Sequence, residues 1–279
     1  MKGLNSLTPM EVPSSIQRIE PFPASALALL RIVPPQPSDA PQLRVLLEQE
    51  PKLLEAIGIV EGTGSEKSIE IAITLLLRGY MQRAFRVYED RRYWDYTLAC
   101  AVACSEIAAR GQESRLTAYV GGLLHDIGRL ALIASYPDKY ANLLLLTDRM
   151  FKENPWFDIL EYERVLFGLN HFETGAWLAD TWGLPAWLRA LTGKFNDDAY
   201  PEHRELVATI RCGTRLAHSL GFGYLRAAPR APLREILCQV SGAWEHWKTL
   251  DQWESGEEYM RGRILAQLAL FGITSQEDE

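Results

Sequence analysis

Hydrophobic positions recur at intervals of three and four along most of this chain, the spacing of one face of an α-helix. Segments 66–87, 95–110, 115–135, 138–151, 158–168, 171–182, 185–193, 203–220, 232–247 and 256–271 carry that period. Two shorter helices are predicted over Ala24–Val33 and about Pro41–Gln49, separated by Pro34, Pro35 and Pro37. Proline ends helices and disfavours the helical state in the residue before it. No stretch alternates apolar and polar residues between hairpin turns, so strands are not predicted. The pattern is therefore all-α, and without a fixed-period repeat it is not a solenoid. Residues 1–20, rich in Ser, Thr and Pro, read as an extended lead-in, 21–220 as one helical domain, and 221–279 as a C-terminal helical extension. The boundary falls in the segment from Gly221 to Pro232, which also holds Gly223 and Pro229.

Within 115–135, Leu116, Val120, Leu123, Ile127, Leu130 and Ala134 share one face. His125 sits nearly opposite, beside Gly121, Gly128 and Leu132. A helix lined with packing residues nearly all round is predicted to be buried. Gly121, Gly122 and Gly128 each cost about 1 kcal/mol relative to alanine in a helix, which points to close approach by neighbouring helices or a ligand. The His125-Asp126 pair has two readings. Imidazole and carboxylate together suit Zn, Mn or Fe. Equally, the two are a buried polar pair hydrogen-bonded to other helices, since buried polar groups need partners.

Composition narrows the function classes. The chain has 279 residues, 47% of them apolar and 23% charged, enough to bury a core without disulfides. Net charge is −7, which argues against a general nucleic-acid binder, because phosphate backbones reward an excess of Lys and Arg. Cys100, Cys104, Cys212 and Cys238 are too scattered for a disulfide framework. The start lacks the basic-then-apolar pattern of a signal peptide, and no apolar run approaches the roughly 20 residues of a membrane-spanning helix. The default compartment is the reducing cytoplasm.

The stretch Gly121-Gly-Leu-Leu-His-Asp-Ile-Gly-Arg-Leu130 resembles the core motif of HD-superfamily proteins, and the chain more specifically resembles the HDOD domain, a helical module of bacterial signalling proteins. Supporting matches are Pro21-Phe-Pro23, Ser68-Ile-Glu-Ile-Ala-Ile-Thr-Leu-Leu-Leu77 and Tyr93-Trp94. A second signature runs through Phe167-Gly-Leu-Asn-His-Phe-Glu-Thr-Gly-Ala-Trp-Leu-Ala179 and Trp182-Gly-Leu-Pro185. The resemblance spans residues 20–220 and implies an HD/HDOD-like multi-helix bundle.

Catalytic HD enzymes hold one or two divalent metals with a His, then His-Asp, then a later Asp, and the metal activates water for phosphate-ester hydrolysis. Carried onto this sequence, that set is incomplete. Tyr96 stands where the first His is expected, with Asp95 adjacent. His125 and Asp126 are present. Lys194 and Phe195 stand where family members carry a His-His pair, and Thr214 is nearest to the late Asp. His171 is retained, behind a capping box formed by Asn170 and Glu173. It either faces the cavity of His125 or fixes the loop from Gly168. The resemblance thus marks His125, Asp126 and His171 as a vestigial or partial metal site.

The resemblance and these departures imply a non-catalytic regulatory module with no cofactor, acting in trans on signalling partners or on a second copy of itself. One alternative is a metal-dependent phosphohydrolase with a Mn, Fe or Zn site rebuilt from His125, Asp126 and His171, with Asp95 or a cysteine added. Another is a small-molecule sensor using the HD cavity. Cys100 and Cys104, four apart on one helix face, read as core residues. Trp177, Trp182 and Trp187 read as interhelix packing, and Trp244, Trp247 and Trp253 as docking the extension. His203, His218 and His246 read as structural or exposed, with His218 at a helix end that favours a cation. Gly62-Thr-Gly64 and Gly221-Phe-Gly223 fit no phosphate-loop motif.

Overall fold

The structure is a computed structural model that describes residues 11–31, 33, 65–85, 91–111, 113–193, 201–239 and 253–271. The predicted helix at Pro41–Gln49, most of that at 232–247, and Gly62-Thr-Gly64, Lys194, Phe195, Trp244, His246 and Trp247 lie outside the described residues. Among the described residues every regular element is helical. In chain order these are α1 (Ser14–Gln17), α2 (Ala24–Arg31), α3 (Ser65–Phe85), α4 (Arg91–Ala108), α5 (Arg115–Leu124), α6 (Ile127–Ser135) and α7 (Pro137–Glu153). They continue with α8 (Ile159–Phe167), α9 (His171–Thr181), α10 (Ala186–Thr192), α11 (Arg204–Ala217), α12 (Leu233–Leu237) and α13 (Trp253–Leu270). The all-α prediction holds.

Helix α4 is the axis of the fold. From Thr97 to Ala108 every residue is buried, which a helix without a polar face requires. Its run of alanines and cysteines lets neighbours come close. A side chain on Gly122 of α5 would strike the Ala101 backbone at 2.8 Å, and one on Gly213 of α11 would strike Cys104. Helices α5, α11 and α13 all pack on α4.

The segment 115–135 reads as one helix in the sequence but is two. Helix α5 ends at Leu124 and α6 begins at Ile127, with Asp126 between them at φ −106°, ψ 26°. The break has a packing reason. Gly122 faces the α4 backbone, whereas Gly128 faces α9, where a Cβ would collide with the His171 carbonyl and the Gly175 backbone. The turn at His125-Asp126 lets each glycine meet its own neighbour.

The lead-in is also more structured than its composition suggests. Ser14–Gln17 form one helical turn that buries Ile16, and Ser15 Oγ donates to the Tyr136 hydroxyl at 2.8 Å. Phe22 packs on Trp182 with ring centroids 4.9 Å apart. At the other end, the buried Glu106 of α4 accepts from Arg263 of α13 at 3.0 Å and from Arg110 at 2.9 Å. After α11 the chain makes a wide helical turn through His218–Phe222, leaves it at Gly221 (φ 96°), and folds back. His218 Nε2 donates to the Ala228 carbonyl at 3.0 Å. Burial lowers its pKa, so the surroundings of His218 oppose the cation that its helix-end position favours.

Candidate functional site

The α5–α6 turn brings the sequence-predicted residues into a closed polar network inside the bundle. His125, Asp126 and His171 are all buried. His125 Nδ1 lies 2.8 Å from the Gly122 carbonyl, an acceptor, so this nitrogen carries the proton. Its Nε2 then accepts from the Tyr96 hydroxyl at 3.0 Å. Burial lowers the His125 pKa, although Asp126 opposes the shift. Burial also raises that of Tyr96 well above its ordinary value. The pair therefore stays as neutral imidazole and neutral phenol. The residue standing in for the family's first His is here a hydrogen-bond donor to the second.

Asp126 and His171 are brought together by a residue to which sequence reasoning gave no role. Arg129, one turn into α6, donates from Nε to the Asp126 carboxylate at 2.6 Å. From Nη1 it donates to the Tyr140 hydroxyl at 2.9 Å, and from Nη2 to His171 Nε2 at 3.1 Å. Tyr140 passes its own proton to Glu163 at 2.6 Å. Glu163 in turn accepts from the His171 backbone N–H at 2.9 Å and from His171 Nδ1 at 2.6 Å. Burial pushes the Glu163 carboxyl up, but His171, Arg129 and the Tyr140 hydroxyl outweigh it and hold the pKa at about 2. Two buried carboxylates thus share one guanidinium, and Arg129, Tyr140, Glu163 and His171 are bonded to one another in a closed chain, as burial demands.

The network bears directly on a metal. A divalent cation shared by Asp126 and His171 would have to occupy ground beside a fixed positive charge that already bonds both. His125 has neither ring nitrogen to spare. Among the described residues, no three His, Cys, Asp or Glu side chains are grouped so as to share an ion. This donor set does not suit a metal.

Of the other candidates, Cys100 adjoins the network at Tyr96, and Thr214 and Asp95 have partners of their own. Thr214 spends its hydroxyl on the Arg211 carbonyl at 3.0 Å. Asp95 pairs with Arg91 at 4.0 Å. Cys100 and Cys104 are core residues whose thiols burial holds well above their ordinary pKa. The capping box of Asn170 and Glu173 forms as read. Trp182 and Trp187 are buried, and Trp177 packs half-buried against the core. Tyr140, Glu163 and Tyr224, whose ring lies 5.5 Å from the Arg129 guanidinium, carry no signal in the sequence. The one local signal was the i, i+3 spacing of Asp126 and Arg129, at which helical side chains meet.

The HDOD domain family model matches residues 22–196. The chain belongs to the HDOD family. Among curated proteins none matches the sequence. Solved structures of similar fold include an HDOD domain protein with unknown function from Geobacter sulfurreducens, 16% identical, with TM-score 0.65, covering 92% of this chain and 93% of that one. Another, from Marinobacter aquaeolei VT8, is provisionally named a signal transduction protein. It is 18% identical with TM-score 0.64, and the match covers 96% of this chain but 63% of that protein. A third, from Shewanella amazonensis SB2B, is provisionally named a phosphohydrolase; it is 18% identical with TM-score 0.58, covering 91% of this chain and 99% of that one. At these identities the likeness is one of fold. No helix among the described residues is long and apolar enough to cross a membrane.

Proposed function

We propose that this HDOD domain is a non-catalytic regulatory module of bacterial signal transduction that acts in the cytoplasm through protein contacts, its HD site being degenerate. The observation that carries this reading is the Arg129 guanidinium bonded to both Asp126 and His171. Metal-assisted hydrolysis needs an ion with an open coordination position; here the cation is a side chain with nothing to offer a substrate. Tyr96 in place of an imidazole, and Lys194, Phe195 and Thr214 at the remaining ligand positions, support the same conclusion. The phosphohydrolase alternative would require Arg129 to leave two buried carboxylates behind.

Contact through the surface is supported by large apolar side chains left in solvent on α7, α8 and the turn between them: Leu145 is 71% exposed, Trp156 90% and Val165 76%. Apolar groups of this size in water are candidates for an interaction surface. The partner is a signalling protein or a second copy of this chain.

The test is the metal content of protein purified without chelator, by elemental mass spectrometry, beside a phosphodiesterase and phosphomonoesterase screen. Substoichiometric Mn, Fe and Zn with no turnover are expected. Near-stoichiometric metal that disappears in His125→Ala would overturn the proposal.

A further inference from the structure

A cavity of about 440 Å³ opens where α4, the turn after α11 and α13 meet. Among the described residues four arginines line it: Arg92 from α4, Arg226 and Arg230 from the segment that folds back after Gly223, and Arg261 from α13. Asp95 is the one carboxylate among the described lining residues. In a chain of net charge −7, this is a concentration of the opposite sign.

Distant parts of the sequence build it. Arg261 Nη1 donates to the Leu220 carbonyl at 2.9 Å, and its guanidinium lies over the Phe222 ring at 5.7 Å. Arg92 lies over the Tyr224 ring at 5.2 Å. Arg261 Nη1 and Arg230 Nη2 fall 3.8 and 3.9 Å from where a Cβ on Gly221 would be. The two charges therefore lie within about 8 Å of one another, roughly a Debye length at physiological salt. Like charges at that range repel, and an anion between them turns repulsion into attraction. Guanidinium groups present planar forks of donors that match phosphate oxygens.

Size and lining define the rest of the ligand. The volume falls in the range of about 300–1,000 Å³ typical of small-molecule sites. Phe222, Leu265 and Leu268 give the cavity an apolar wall beside the cations. We infer that this pocket binds a small organic phosphate carrying at least two negative charges, with its apolar part against that wall. The site lies outside the HD network, and Tyr224 forms the partition. Arg92 is stacked on this ring, and Arg129 of the network also lies over it, at 5.5 Å.

The inference goes beyond the proposed function and stands apart from it, because its test reads neither metal nor hydrolysis. The full chain is titrated calorimetrically with ATP, pyrophosphate, adenosine and citrate at low and high salt. ATP is expected to bind in the micromolar range, pyrophosphate more weakly and adenosine not at all, with affinity falling as salt rises. Arg226 and Arg230 are exposed, so an Arg226→Glu/Arg230→Glu double variant should keep the unliganded melting temperature and weaken ATP at least tenfold. If the double variant does not fold, Arg230→Gln carries the comparison, with at least a threefold loss expected. Absence of binding by both phosphate compounds, unchanged affinity in the folded variant, or adenosine or citrate binding as tightly as ATP would overturn the inference.

Discussion

Arg129 Nε lies 2.6 Å from the Asp126 carboxylate, so the aspartate of the His-Asp pair is neutralised by a residue one turn further along the chain. The same guanidinium reaches His171 at 3.1 Å and stands 3.6 Å from Glu163. An internal cation thus organises residues that the family pattern assigns to a metal.

Removing that cation leaves the Asp126 carboxylate buried with no positive partner and Glu163 with His171 alone. Breaking a buried pair in this way costs about 3–5 kcal/mol. Arg129→Met is expected to lose stability of that order in urea denaturation, and Arg129→Lys to recover part of it, since an ammonium keeps the charge but not the planar fork. A loss under about 1 kcal/mol in Arg129→Met would show that the network does not hold the fold.

Restoring the missing imidazole should not restore a metal. Tyr96→His returns a ligand type to the first position but leaves Arg129 bonded to Asp126 and His171. Elemental analysis after incubation with Mn or Zn is expected to find no more metal than in the wild type. Stoichiometric uptake would mean that Arg129 yields its place readily.

Acid should destabilise the fold in two stages. Burial holds His125 and His218 below their ordinary pKa of 6.5. The unfolded chain takes up these protons first, so their contribution is full above about pH 6.5 and is lost as pH falls through the lowered folded values. Glu163, held at about 2 against an ordinary 4.5, contributes fully above about pH 4.5 and loses about 3 kcal/mol as pH falls towards 2. Denaturation midpoints recorded from pH 8 to pH 3 are expected to decline below 6.5 and more steeply below 4.5. A flat profile down to pH 4 would contradict this account.

Two glycines should respond oppositely to alanine. At Gly128 a Cβ would meet the backbone of His171 and Gly175, neither of which can yield, whereas at Gly79 nothing lies within 4 Å. Gly79→Ala, in the interior of α3, is expected to gain about 1 kcal/mol from helix propensity. Gly128→Ala is expected to lose more than about 3 kcal/mol through overpacking, or to fail to accumulate as soluble protein. Urea denaturation of the pair, read against wild type, checks both signs.

Helix α13 is held to α4 through Glu106, which binds Arg263 and Arg110 and lies 3.4 Å from the Tyr259 hydroxyl. Glu106→Gln keeps the shape and removes the charge. Hydrogen exchange should then accelerate over Met260–Leu268 before it changes in α5 or α6. Uniform acceleration throughout would instead place Glu106 in the global stability of the bundle.

The all-α class, most helix positions among the described residues and the burial of the His125 segment were legible because they depend on local periodicity, which a single chain displays directly. The family motif was legible for the same reason: Gly121 to Leu130 and Phe167 to Ala179 are contiguous. The close approaches at Gly122 and Gly128 could be anticipated from their cost in a helix, but not the neighbour each would meet. The break at Asp126 was invisible, because the apolar stripe continues across it and the cause lies in two different packing partners, α4 and α9. Glu163 reads as an ordinary charge on an amphipathic helix until α8 is docked beside His171. The arginine pocket joins residues 92, 226, 230 and 261, and no spacing rule connects them. Sequence by itself determined which segments coil and which family they follow. Tertiary structure alone decided which charges meet, because a buried ion pair is set by the distances between elements and not by the period within one.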